Sequence, residues 1–457
     1  MVTLAGLSCV LCRSSRLEFH VEQVSCRFCG QEYPVIGGVP VMFESVTVER
    51  GQAVEAGLAR DVLRAFDLPE DALSLLRLRT LMRKRVRFGD QFISVEAQQF
   101  LDRVRNTGYD IALPEAAETD AEPRDLSVVP RYEWTKNYLP RRVKAGTEFL
   151  GNMRLENRGP VTLYRSGQGE VRVVIKWRHR SGEAVEVADE RTPLPIDLEP
   201  GHAVTLSVRV TTPAQLGRYL MTVTLVQEQL RWLDDDSVTI PVTVEQEAPD
   251  SIPDGWLVLP DPPADYDSDH VKGRSILQEW LQKYAPPHPR LLEIGGNAVP
   301  MLGLLEGAAG SGAINVDVDL LGLQVGRMVA QQTSTQIHQL CADAFNLPFP
   351  KGYFDAIVIF ASLHHFPDPA ALLEHLRRKL RPGGFIGLFC EPVGHIWPGH
   401  VTPAFLAELQ RGVNEQSFSL REYEMMFRQA ELSAAEVVVD LNSLKVRLIC
   451  AEEHDRS

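Results

Sequence analysis

The sequence predicts a multidomain chain that joins an α/β unit, built on a parallel sheet with helices on both faces, to an all-β sandwich and a small cysteine-built unit. Three observations carry this. Residues 290–319, RLLEIGGNAVPMLGLLEGAAGSGAINVDVD, run strand, glycine turn, helix, strand, acid, and strand and helix signals then alternate to residue 451. Residues 126–248 hold short β-rich runs at close spacing. Residues 1–44 hold two Cys-x-x-Cys pairs.

The α/β unit opens with the apolar run Leu291-Leu292-Glu293-Ile294, which reads as a buried strand, and the pair Gly295-Gly296 follows at once. Glycine lets the backbone turn tightly and approach a ligand. A second apolar strand ends at Asp317-Val318-Asp319, and Asp317 lies 22 positions beyond Gly295. Nucleotide-binding βαβ units place an acid about 20 positions on, where it accepts from ribose hydroxyls. The dinucleotide fingerprint G-x-G-x-x-G is not met, because 297 is Asn and 300 is Pro. Strands are predicted at 290–295, 313–318, 337–342, 354–360, 384–390, 434–440 and 445–451, with helices between all but the last two. A further helix, Val271 to Tyr284, precedes them.

An acid two residues ahead of a glycine turn resembles the first motif of class I S-adenosylmethionine-dependent methyltransferases. CADAFNLPFPKGYFDAIVIFASLHHFPDP (341–369) is similar to that family's adenine-contacting acid, fourth strand and following loop. LRRKLRPGGFIGLFCEP (376–392) is similar to its helix, Pro-Gly-Gly turn and fifth strand. The resemblance covers roughly residues 270–455 and implies a Rossmann-like sheet closed by a hairpin. It implies that Glu293, Gly295, Gly296 and Asn297 line the methionine portion of S-adenosyl-L-methionine. It also implies that Asp317 holds the ribose hydroxyls and that Asp343, with Ala344 beside it, accepts from the adenine amino group. Asn297 stands where the family has its second glycine, and Asn tolerates positive φ better than most residues. The helix ahead of the core often covers the cofactor in this family.

Methyl transfer to oxygen needs in-line alignment and a proton acceptor. Ser362, His364 and His365 follow the fourth strand, at the carboxyl ends where α/β sheets bind ligands. Glu391 ends the fifth strand and His395 lies in the loop beyond it. His365 ranks ahead of His395 as base, with Glu391 as an orienting partner. The alternatives are loop histidines making ordinary hydrogen bonds, or a His–Glu–His metal set.

Cys9-x-x-Cys12 and Cys26-x-x-Cys29 suit two knuckles around one tetrahedral four-thiolate site, which fits structural zinc. A segment of 44 residues buries too little apolar surface alone, so the metal would supply its folding energy. Residues 30–41, GQEYPVIGGVPV, are similar to the C-terminal part of zinc-ribbon activator subunits of methyltransferases. A closed four-cysteine site has no open position for substrate, so no catalytic role follows.

Residues 45–125 read as a helical segment and linker, and its run Arg83-Lys84-Arg85-Val86-Arg87 reads as a solvated face or a contact for an anionic substrate. In 126–248, RTPLPIDLEPGHAVTLSVRV…GRYLMTVTLVQEQLRWLDD (191–235) resembles the carbohydrate-binding domain of O-antigen ABC-transporter ATPases. Trp177 and Trp232 are read as a sugar platform or as core, and Tyr219 as a structural corner. Residues 249–269, rich in Pro and Asp, form a linker to the 270–457 methyltransferase-like domain.

A chain of 457 residues implies two to four domains, and 44% apolar with 24% charged residues is the balance of a globular protein. A net charge of −14 argues against a general nucleic-acid surface. No apolar run is long enough to span a membrane, the N-terminus does not read as a secretory signal, and cytoplasm is the default. The expectation is a methyltransferase that O-methylates a sugar of a surface polysaccharide or its lipid-linked precursor, beside polysaccharide-assembly proteins. The alternatives are a glycan-binding scaffold with an inactive fold, or a methyltransferase for a small metabolite, RNA or protein.

Overall fold

The computed structural model describes residues 6–43, 124, 126–188, 191–247, 266–305, 312–332, 336–396, 406, 409, 414–440 and 442–451. The expected helical segment 45–125, Arg124 apart, and the linker 249–269 as far as residue 265 lie outside the described residues. So does the Arg83–Arg87 run.

The N-terminal unit folds into β1 (Leu17–Phe19), β2 (Gln23–Cys26), β3 (Glu32–Ile36) and β4 (Val39–Met42), each antiparallel to the next. Nine strands follow: β5 (Tyr132–Asn137), β6 (Arg142–Lys144), β7 (Glu148–Asn157), β8 (Val171–His179), β9 (Ala184–Val185), β10 (Arg191–Pro193), β11 (Ala203–Thr211), β12 (Gly217–Gln227) and β13 (Arg231–Glu245). They form a three-stranded sheet, β11-β7-β5, and a six-stranded one, β10-β8-β12-β13-β6 with β9 on β8. The two sheets share one core, because side chains alternate between faces along a strand. Met153 and Leu155 of β7, Val204, Leu206 and Val208 of β11, and Met221, Val223 and Leu225 of β12 all point into it.

The α/β unit comprises helix α1 (Tyr266–Tyr284), β14 (Leu291–Ile294), β15 (Ala313–Asp317), α2 (Leu320–Gln332), β16 (Ile337–Ala342), β17 (Phe354–Phe360), α3 (Pro369–Arg377), β18 (Leu380–Pro392), α4 (Leu420–Gln429), β19 (Leu432–Asp440) and β20 (Ser443–Cys450). Its strand order is β16-β15-β14-β17-β18-β20-β19, parallel except for the closing hairpin. Every residue of β17 is buried, as expected for a strand covered on both faces. Among the described residues, two expected helices are represented by 3-10 turns. After the glycine turn the described residues hold one 3-10 turn, Met301–Leu304, entered through Pro300 and containing Gly303. Between β16 and β17 there is another, Ala344–Asn346, and Pro348 and Pro350 lie beyond it, where proline cannot continue a helix. Helix α1 starts earlier than expected, at Tyr266 rather than Val271.

Strand β4 pairs in parallel with β16, Val41 opposite Cys341 and Met42 opposite Ala342, so the N-terminal unit and the α/β unit form one eleven-stranded sheet. Leu7, Val10, Val24 and Tyr33 belong to the same core as Leu340, Phe349 and Phe354. The amide of Ser8 donates to Pro348 O at 2.8 Å, and Arg327 Nη1 donates to Gly37 O at 3.0 Å.

Candidate functional site

Strand order reverses between β14 and β17, and open α/β sheets bind ligands at such a switch point, outside the carboxyl ends of the strands. The glycine turn stands there. Gly295 has φ +77°, and a Cβ on it would lie 2.5 Å from Ser362 Oγ, so the turn and the loop after β17 are in contact. Asn297 takes φ +46°, the conformation that its place in the motif calls for. Its amide donates to Asp317 Oδ2 at 3.1 Å, and its Nδ2 donates to Asp319 Oδ2 at 3.0 Å. The other Asp317 oxygen accepts from the Asp319 amide at 2.9 Å. Asp317 thus braces the turn from the end of β15. Asn297 Oδ1 accepts no hydrogen bond among the described residues. It lies beside Gly322, where a Cβ would stand 1.8 Å away.

Glu293 is wholly buried, and its two oxygens accept from the amides of Met301 and Leu302, both at 2.8 Å. It therefore starts the 3-10 turn. Burial pushes its carboxyl up to about 7, against the two amides that favour the anion. Gly296 is needed at close quarters, since a Cβ there would meet Glu293 Oε1 at 2.8 Å and Asn315 Oδ1 at 2.6 Å. Asp343 caps the next turn, accepting from the Phe345 amide at 2.9 Å, with Ala344 buried beside it. Glycine turn, strand-end acid and second acid form a set of the right chemistry for a nucleoside bearing an amino-acid side chain.

At the ends of β17 and β18, Glu391 is fully buried and accepts from the amides of Ser362, Leu363 and His364 at 2.9, 2.9 and 3.1 Å. Its Oε2 lies 2.8 Å from His364 Nδ1. The structure therefore pairs Glu391 with His364, and not with His365, which the sequence ranks ahead of His395 as base. Burial works against a charged His364, but Glu391 and Glu415 outweigh it and raise its pKa. His364 Nε2 is 3.7 Å from Glu415 Oε2, and His365 Nδ1 is 3.4 Å from Glu415 Oε1. His364, His365 and Glu415 are close enough to share a cation. His395 is placed elsewhere. It is fully buried, its Nδ1 lies 3.3 Å from Ser207 Oγ of β11, and burial lowers its pKa.

Glu415 escaped the sequence reading, because it lies 50 positions beyond His365 in a stretch without strand or helix period. The nearest signal is Ser419-Leu420-Arg421-Glu422, whose Ser-x-x-Glu spacing marks a capping box. Ser419 and Glu422 do form that box at the start of α4.

The sulfurs of Cys9 and Cys29 are 3.6 Å apart, as are those of Cys12 and Cys26, and all four cluster. Zinc–sulfur bonds of about 2.3 Å place tetrahedral thiolates about 3.8 Å apart, so the set fits a zinc ion. In the two-sheet unit, Trp177 is core: it is 3% exposed, and its indole N–H donates to Thr211 O at 3.0 Å. Tyr219 is buried against it and its hydroxyl donates to Gln215 O at 2.9 Å. Trp232 is 45% exposed, with Lys176 Nζ 3.8 Å from its ring centroid. No helix among the described residues is long and apolar enough to cross a membrane.

Residues 292–388 match the family described as "Methyltransferase domain". A demethylmenaquinone methyltransferase of Thermus thermophilus is 35% identical over 96 residues, 21% of this chain and 44% of that protein. A 27-O-demethylrifamycin SV methyltransferase of Amycolatopsis mediterranei is 30% identical over 109 residues, 22% of this chain and 37% of that protein. The chain thus spans less than half the length of these relatives. Among solved structures, a complex between the Haloferax volcanii Trm112 methyltransferase activator and a methyltransferase aligns with TM-score 0.33 and 17% identity. The alignment covers 40% of this chain and 92% of that one. An S-adenosylmethionine-dependent methyltransferase from Aquifex aeolicus aligns with TM-score 0.31 and 16% identity, covering 41% and 93%. The α/β unit is thus a Rossmann-like methyltransferase domain.

Proposed function

We propose that this chain transfers a methyl group from S-adenosyl-L-methionine to a sugar hydroxyl of a surface polysaccharide or its lipid-linked precursor. The observation that carries the reading is the meeting of the braced glycine turn, Asp317 and the Glu391–His364 pair at one end of the sheet. The cofactor supplies an electrophilic methyl on a sulfonium. Gly295, Gly296 and Asn297 give its methionine portion a close backbone cradle. Asp317 would accept from the ribose hydroxyls and Asp343 from the adenine amino group, as charge-assisted bonds. Glu391 accepts from His364 Nδ1–H and so fixes the tautomer, which makes Nε2 the proton acceptor. With the cofactor bound, His364 Nε2 would take the proton of the acceptor hydroxyl as that oxygen gains the methyl group.

The sugar acceptor is supported by the resemblance of residues 191–235 to a carbohydrate-binding domain and by the exposed Trp232. A tethered weak glycan module raises the local acceptor concentration. The curated relatives named above act on a quinone precursor and on a rifamycin, so a small-molecule acceptor is the competing outcome. In the N-terminal unit, Cys9, Cys12, Cys26 and Cys29 would hold structural zinc, and β4 couples that unit to the methyltransferase sheet.

The test compares His364→Ala with His365→Ala. His364→Ala should lower turnover about 100-fold with cofactor affinity nearly unchanged, the scale of a lost general base. His365→Ala should cost less. Full turnover by His364→Ala would remove the base assignment.

A further inference from the structure

The outer face of the three-stranded sheet is polar, yet its centre is not solvated. Asn152 and Arg154 of β7 alternate with core residues, as do Thr205 and Ser207 of β11, and the register sets Thr205 beside Arg154 and Ser207 beside Asn152. Asn152, Thr205 and Ser207 are at most 1% exposed. Such a face normally meets water. Here it meets residues 414–422 of the α/β unit.

The contacts run onward to the loop after β17. Thr205 Oγ1 donates to Gln416 Oε1 at 2.6 Å. Gln416 Nε2 donates to the carbonyls of His364 at 3.1 Å and Phe366 at 2.6 Å. Because its nitrogen faces two carbonyls, its oxygen must face Thr205, so the network fixes the amide's orientation. Arg154 Nη1 donates to Asn414 Oδ1, and Asn414 Nδ2 donates to His365 O at 2.9 Å. Asn152 Nδ2 donates to Ser417 O at 2.8 Å and to Glu422 Oε2 at 2.9 Å. Glu415, between the two bridging amides, is the residue whose carboxylate faces both histidines.

We propose that this sheet face is a positioning part of the acceptor site: Thr205 and Arg154, acting through Gln416 and Asn414, set the backbone of His364–Phe366 and hold Glu415 in place. The proposal rests on reading the His364 loop as the acceptor site. It makes the two-sheet unit more than a tethered module, and it leaves the centre of this face, around Asn152, Thr205 and Ser207, closed to a glycan.

The test uses the full chain with Thr205→Val, which keeps shape and removes the donor, and Thr205→Ser, which restores it. Amide exchange across 362–368 should quicken roughly three- to tenfold in Thr205→Val, the scale of one hydrogen bond, and return to the wild-type rate in Thr205→Ser. With labelled S-adenosylmethionine and host glycan extract, kcat should fall by a similar factor while KM for the cofactor stays within about twofold. If Thr205→Val does not fold, Arg154→Met, at a half-buried position, gives the same readout. Unchanged exchange in Thr205→Val, or equal quickening in Thr205→Ser, overturns the proposal. The exchange readout does not need catalysis, so a wild-type chain that transfers no methyl would sink the function proposed above and still decide this one.

Discussion

Replacing Asp317 with Ala tests the cofactor pocket at its most connected residue. The carboxylate holds the amides of Asn297 and Asp319, at 3.1 and 2.9 Å, and in the proposed complex it also meets the ribose. Asn297 sits at φ +46°, a conformation that needs such support in a residue other than glycine. The substitution therefore removes ribose bonds and loosens the turn beneath the methionine portion. Lost charge-assisted bonds cost about 1.5–3 kcal/mol. At about 1.4 kcal/mol per decade, that is a roughly 10- to 150-fold weaker Kd. Asp317→Asn keeps the shape but turns an amide NH2 toward one of two N–H donors, so it should fall between Ala and wild type. Calorimetry with S-adenosylmethionine and S-adenosylhomocysteine measures this, and near-ultraviolet circular dichroism checks the fold. A Kd for Asp317→Ala within about twofold of wild type would show that Asp317 does not hold the ribose.

Metal analysis should find one zinc per chain, and Cys9→Ser with Cys26→Ser should abolish it and unfold the N-terminal unit; unchanged metal content would contradict the four-thiolate site. Glu293 gives a pH dependence of definite sign. Its folded pKa, about 7, lies above the unfolded value near 4.5, so its contribution is fully present below about pH 4.5 and is lost as pH rises through about 7. Denaturation curves of Glu293→Gln should lack that fall, and a parallel pH profile would count against it. Glu422→Ala should destabilise the fold where the α/β and two-sheet units meet by about 2–6 kcal/mol. It orphans the buried amides of Asn152 and Ser419, at about 1–3 kcal/mol each. A loss under about 1 kcal/mol in urea titrations would show that water replaces the carboxylate.

The α/β unit was legible because its strands are apolar on both faces and its glycine turn and acids keep fixed spacing. The strands of 126–248 were legible from period-two alternation, as in Thr205 to Val208. The helices replaced by 3-10 turns were not, because a window of apolar residues does not reveal that Glu293 caps the turn or that prolines stop it. The side-chain cluster at the ends of β17 and β18 was half legible. His364, His365 and Glu391 were named, but which histidine Glu391 grips depends on how a 3-10 turn, Leu363–His365, is entered, with the amides of Ser362, Leu363 and His364 pointing at one carboxylate. Glu415 and the Thr205–Gln416 link depend on segments about 200 residues apart meeting, which no local period encodes.

The most direct measurement is the fate of a labelled methyl group. Purified full chain is incubated with methyl-labelled S-adenosylmethionine and fractionated glycan, lipid-linked sugar, small-metabolite, RNA and protein extracts of the source cell. Label is expected on a sugar hydroxyl of the glycan or lipid-linked fraction, with about 100-fold less in His364→Ala. Label only on metabolite, RNA or protein would contradict the sugar acceptor. No label anywhere, from a chain that binds the cofactor, would contradict the enzyme.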